Sequence, residues 1–145
     1  MEGPNAGRDG VLRAARDAES LGFHSVWATD RLLKPARQPS GYPYGARRGA
    51  IAFTPDRVWL EPVTVMAAVA AVTQRIAVGT NVLVLPYRQP VVLAQELATL
   101  DRLSGGRVVL GVGVGWMSEE FAALGLDRKH RGARTDEYID VLRWL

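Results

Sequence analysis

The 145-residue sequence contains no cysteine and only two histidines, His24 and His130, far apart along the chain. Disulfides, thiolate metal sites and cysteine nucleophiles are thereby excluded, and two distant histidines make no zinc motif by themselves. No apolar run approaches the roughly 18 residues of a membrane-spanning helix. The opening MEGPNAGRDG lacks the apolar stretch of a secretory signal, so a cytoplasmic protein without metal or membrane partner is expected. Charge is nearly balanced at +3, and most of the excess lies in residues 31–58, where Arg31, Lys34, Arg37, Arg47, Arg48 and Arg57 face only Asp56. Prolines and glycines interrupt these cations and no basic helix accompanies them, which argues against a nucleic-acid partner. An anionic small molecule or plain solvent suits the segment better. With 48% apolar residues the composition is that of one globular domain, 1–145.

What is present is a repeating alternation. Val11, Leu12, Ala15, Ala18 and Leu21 recur three or four apart, predicting a helix over 10–21 that Gly22 stops, before the strand-like FHSVWA of 23–28. Residues 31–58 have no apolar period and form a long loop, which in such a position is usually functional. A second helix is predicted from Glu61 or Pro62 to Gln74, and a buried strand over Arg75–Leu85, broken by Gly79, Thr80 and Asn81 in the manner of a bulge. Pro90 opens a third helix, with Val92, Leu93, Leu97, Leu100 and Leu103 on one face and Gly105–Gly106 at its end. Arg107–Gly115 (RVVLGVGVG) is a third strand, repeating the second at an interval of 32 residues from Val78 to Leu110. A short helix around Glu119–Leu124 follows, then a last helix capped by Thr135 with Tyr138, Ile139, Leu142 and Leu145 inward.

Helix and strand alternating in this way make an α/β fold with a parallel sheet. A parallel sheet needs helices on both faces or closure into a barrel, and three strands satisfy neither, so the expectation is part of a larger domain. GVGVG at Gly111–Gly115 lacks the G-x-G-x-x-G spacing of a dinucleotide fingerprint. The methyltransferase glycine loop fits poorly as well, with Val109 and Leu110 where an acidic residue belongs. Close strand packing and space for a ligand both remain open for these glycines.

The stretches LGFHSVWATDRLL, WLEPVTVMAAVAAVTQ, the long segment from RIAVGTNVLVLPYRQP to GVGVGWMSEEFAALG, and RGARTDEYIDVLRWL together resemble the luciferase-like oxidoreductases that use flavin or the deazaflavin F420. The resemblance implies a partial (β/α)8 TIM barrel, strands 2 to 4 with their helices, with residues 31–58 a long loop on the active face. It implies hydride transfer between F420 and an organic substrate, with an FMN-dependent monooxygenase as the alternative. It further implies inactivity of these strands alone, with a non-catalytic half barrel as the competing possibility, and the option of a homodimer.

Carried over residue by residue, the resemblance puts Asp30 and Arg31 where the family has an acidic residue and a histidine after the second barrel strand. Arg31 is always protonated and is no base, but it can bind a substrate anion. Thr80, Asn81 and Val82 match the family's bulge, with a cis peptide expected between Asn81 and Val82 supporting the cofactor ring. Val114, Gly115 and Trp116 follow the fourth barrel strand as cofactor contacts. Trp116 stands where the dehydrogenase branch has a proton-donating acid, so it is expected to wall the cofactor or substrate pocket instead. No catalytic acid or base is assignable. Glu119 and Glu120 are expected on a solvated helix face, Arg88 in solvent, and His24 and His130 as structural residues.

Overall fold

The computed structural model describes residues 6–36, 40–43 and 58–145. Arg37, Tyr44, Arg47, Arg48, Phe53, Asp56 and Arg57 of the long loop lie outside the described residues. The described elements are α1 (Arg8–Ser20), β1 (Ser25–Ala28), α2 (Pro62–Ala70), β2 (Ala77–Val84), α3 (Pro90–Ser104), β3 (Val108–Gly113), α4 (Ser118–Ala123) and α5 (Arg131–Trp144). Single 3₁₀ turns occupy Leu85–Tyr87 and Arg128–His130. The strands form one parallel sheet in the order β1-β2-β3. Among the described residues no helix is long and apolar enough to cross a membrane.

Local chemistry sets the helix ends. Gly22, at φ +80°, takes the left-handed conformation that turns α1 into β1, and the Phe23 N–H donates back to the Ala18 carbonyl at 3.0 Å. Pro62 and Pro90 open α2 and α3, where the Glu61 and Gln89 side chains accept the N–H groups of Thr64 and Val92, each at 2.7 Å. Helix α2 stops at Ala70, four residues short of the expected Gln74. The Arg107 guanidinium takes the carbonyls of Ala70 (2.9 Å) and Thr73 (3.1 Å), and Thr73 Oγ1 donates to the Val69 carbonyl at 2.8 Å. The acceptors of the next turn are thus already engaged.

Two apolar clusters cover the sheet's helical side. One joins Val11, Ala15, Val65, Met66, Val69 and Leu100 to Ala28 and Val78; the other joins Leu83, Leu85 and Leu93 to Tyr138, Ile139 and Leu142 of α5. Each fully buried Val, Leu or Met contributes about 1.5–3 kcal/mol of transfer free energy. Leu21, Val92, Leu103 and Leu145, all expected inward, are exposed; in α3 it is Leu93 and Ser104, the residues next to Val92 and Leu103, that turn inward. Thr135 does not cap α5, which begins four residues earlier at Arg131; it is buried inside the helix with Oγ1 donating to the Arg131 carbonyl at 2.8 Å. The strand repeat is 30 residues, Val78 pairing with Val108 and Thr80 with Leu110, and a register shift between Thr80 and Leu83 marks the expected bulge.

Candidate functional site

The carboxyl ends of parallel strands are where α/β proteins place their sites, and here they gather most of the predicted residues. The peptide bond between Asn81 and Val82 is cis, at the position the resemblance assigned. Thr80 is fully buried, its Oγ1 donating to the Gly111 carbonyl (2.8 Å) and accepting the Gly111 N–H (3.1 Å). It therefore ties β2 to β3, its hydroxyl engaged by the Gly111 backbone in both directions. Asn81 is exposed, Val82 is 39% exposed and Val114 43% exposed.

The glycines answer to close packing. A Cβ at Gly113 would lie 2.6 Å from Val82 Cγ2, one at Gly79 2.6 Å from the Trp27 ring, and one at Gly111 would strike the Thr80 carbonyl. Gly115, at φ +77°, adopts the left-handed conformation, and a Cβ there would meet Val84 Cγ1 at 2.7 Å. The space left by the missing side chains is filled from the neighbouring strand. At this end the Val82 side chain is laid over the glycine backbone of β3.

Asp30 and Arg88 form a buried pair. The Asp30 carboxylate has no exposed side-chain surface and accepts Arg88 Nη1 and Nη2 at 2.6 and 3.0 Å, together with the Val84 N–H at 2.8 Å. Burial pushes its pKa above the ordinary value, and the Arg88 guanidinium works in the opposite direction. Arg88, expected in solvent, also reaches Glu61 at 3.2 Å. Asp30 thus supports the segment just after the bulge.

Glu120 is the residue that sequence reasoning misplaced. Its side chain is 3% exposed, not solvated: Oε1 accepts the N–H groups of Leu32 (2.9 Å) and Leu33 (3.5 Å), while Oε2 accepts Arg31 Nη1 (3.3 Å) and the Tyr87 hydroxyl (3.0 Å). One carboxylate joins the segments that follow all three strands. Burial, and then the Glu120 charge, raise the Tyr87 pKa, keeping its hydroxyl a donor. Arg31, 8% exposed, lies with its guanidinium carbon 5.6 Å from the Trp59 ring centre and 5.2 Å from that of Trp116, whose far neighbour Tyr42 meets it edge-on at 5.3 Å. Glu119 is engaged by the Ser40 hydroxyl and N–H. His24 and His130 are exposed, and no group of three or more metal-ligating side chains occurs among the described residues.

Residues 2–145 match the luciferase-like monooxygenase family. The chain belongs to the luciferase-like family. It is 40% identical over 143 residues to an F420-dependent glucose-6-phosphate dehydrogenase of Amycolatopsis mediterranei, covering 95% of this chain and 37% of that protein. The monooxygenase RslO1 of Streptomyces bottropensis superposes with a TM-score of 0.72 at 29% identity, over 96% of this chain and 38% of its own. A Baeyer-Villiger monooxygenase component from Pseudomonas putida, in complex with FMN, shares the fold with a TM-score of 0.70 at 19% identity, over 93% of this chain and 33% of its own. This luciferase-like chain spans less than half the length of the curated relatives it matches. Its α/β sheet is therefore a three-stranded part of the family's TIM barrel.

Proposed function

We propose that this chain supplies part of an F420 site in a luciferase-like oxidoreductase, and that F420 exchanges hydride there with an organic substrate. Two apolar side chains, Val82 and Val114, stand exposed at the carboxyl ends of neighbouring strands, with Trp116 two residues beyond Val114, and this observation carries the reading. A flat tricyclic ring fits against such a surface. Thr29 Oγ1, at the end of β1, is buried with no hydrogen-bond partner among the described residues, as expected of a group facing a polar ligand. Asn81, Val82, Val114, Gly115 and Trp116 are the residues proposed to touch the cofactor, with Asp30 and Thr80 holding the bulge in place behind them. Bound F420 supplies the hydride chemistry; the protein supplies position and electrostatics. The identity to the F420-dependent dehydrogenase over nearly the whole chain supports F420 as the cofactor.

FMN is the second reading, since the Baeyer-Villiger component that shares this fold holds FMN. Barrels of this type commonly take the cofactor phosphate on their last strands, so the 145 residues alone are proposed to hold cofactor weakly and to complete no turnover. Equilibrium dialysis of the chain against F420 and FMN tests both points. Weak retention with F420 preferred is expected; preference for FMN overturns the cofactor assignment, and tight F420 retention overturns the claim of weak binding.

A further inference from the structure

We propose that the subsite beside Trp116 takes an uncharged, planar organic ligand and rejects anions, because the buried arginine behind its aromatic rings, Arg31, is already neutralised from within the protein. The inference rests on the reading of this end of the sheet as the ligand site, and names the substrate class.

An arginine after the first of these strands invites the expectation of an anionic substrate. The geometry points the other way. The Arg31 guanidinium is buried, Nη1 is shared between Glu120 Oε2 (3.3 Å) and Met117 Sδ (3.4 Å), and Trp59 and Trp116 both pack against it. Glu120 is itself buried and fixed by Tyr87 and two backbone N–H groups, so it has no freedom to leave Arg31 for an incoming anion. A second anion entering here would be desolvated beside a carboxylate, with no unneutralised positive charge at Arg31 to compensate.

Aromatic side chains are packed around the Arg31–Glu120 pair. Tyr42, Trp59, Tyr87 and Trp116 are each partly exposed, and Tyr42 and Trp116 already pack edge to face with centres 5.3 Å apart. Rings so arranged accept another flat ring by stacking or edge contact. Pairing Arg31 with Glu120 therefore backs these aromatic rings with a rigid ion pair of no net charge.

The test uses a matched pair of probes, 2-naphthamide and the 2-naphthoate anion, with glucose 6-phosphate as a second anion. Binding to the full chain is followed by NMR through the indole N–H signals of its tryptophans. The amide is expected to bind at least about fivefold more tightly than the carboxylate, the cost of placing a charge in a neutral, partly dry site. In Glu120→Gln, which leaves Arg31 uncompensated, the carboxylate gains and the preference shrinks or reverses. In Tyr42→Leu, which keeps the ion pair, the amide weakens while the order of preference stays.

Equal or tighter binding of 2-naphthoate or glucose 6-phosphate by the unaltered chain overturns the proposal, as does failure of 2-naphthamide to bind at millimolar concentration. Dialysis against F420 reads the cofactor site separately. F420 retention without probe preference defeats this inference alone, whereas absence of any cofactor binding defeats the reading beneath it.

Discussion

At the scale of single residues, the site is held by two buried carboxylates, each with a fixed cation. The Asp30–Arg88 pair is bidentate and inaccessible on the Asp side, so its partners cannot be removed one at a time without leaving a stranded charge. Arg88→Met is expected to destabilise the fold by about 3–5 kcal/mol, and Asp30→Asn/Arg88→Met to recover most of that loss, as measured by urea denaturation. The variant also fixes a pH dependence. With Arg88 gone, burial and the Glu120 charge are opposed only by the Val84 N–H, which raises the folded pKa of Asp30 further above the ordinary 3.8. A raised carboxyl adds stability that is fully present below the unfolded pKa and is lost as pH rises through the folded value. The deficit of Arg88→Met relative to the unaltered protein should therefore shrink as pH is lowered toward about 3.8, and a deficit independent of pH would show that Asp30 is not the stranded group. Glu120 is equally committed, but to four donors from two separate segments, so Glu120→Ala disturbs the placement of Arg31 and Tyr87 together.

At the scale of elements, two contacts set how the helices and strands meet. Glu19, near the end of α1, accepts the N–H groups of Gln74, Arg75 and Ile76 at 2.8, 2.6 and 3.0 Å and so pins the helix to the entrance of β2. Those N–H groups, Arg75 foremost, lower its pKa to about 2 from 4.5. A depressed carboxyl contributes stability above the unfolded pKa and loses it as pH falls through the folded one. Glu19→Ala is thus expected to melt lower than the unaltered chain at neutral pH, and the gap to narrow between about 4.5 and about 2, read by circular dichroism melts. The second contact is β2 on β3. Gly113→Ala places a methyl 2.6 Å from Val82 Cγ2, so Val82 must leave its place over β3. The expected cost is about 1–3 kcal/mol of stability, with F420 retention weakened in the same variant.

At the scale of the whole molecule, the order of elements was readable because periodicity and punctuation are local: Gly22, Pro62, Pro90 and Gly105 stand where the helices turn, start or stop. What was not readable depends on partners far along the chain. Glu120 looks like a solvated residue in SEEF until Leu32 and Tyr87 are brought to it, and α2 looks longer until Arg107 arrives to take its last carbonyls. The glycines of GVGVG likewise show their purpose only once Val82 and Thr80 lie across them. One consequence of the assembled sheet belongs to no single element. Trp27, Gly79 and Val109 fall in one register row across all three strands, and Trp27 and Val109, at 42% and 40% exposure, lie on the side away from the helical clusters. The Trp27 ring covers Gly79, so the row is a continuous apolar strip joined toward the carboxyl ends by Val82. Exposed apolar surface of this kind takes up a hydrophobic dye without unfolding. The native chain is therefore expected to enhance the fluorescence of anilinonaphthalene sulfonate, and Val109→Ser to reduce that enhancement while changing stability by only about 0.5 kcal/mol, since the side chain is already partly in water. Equal dye binding by the variant would place the dye elsewhere and remove this strip as the molecule's main apolar surface.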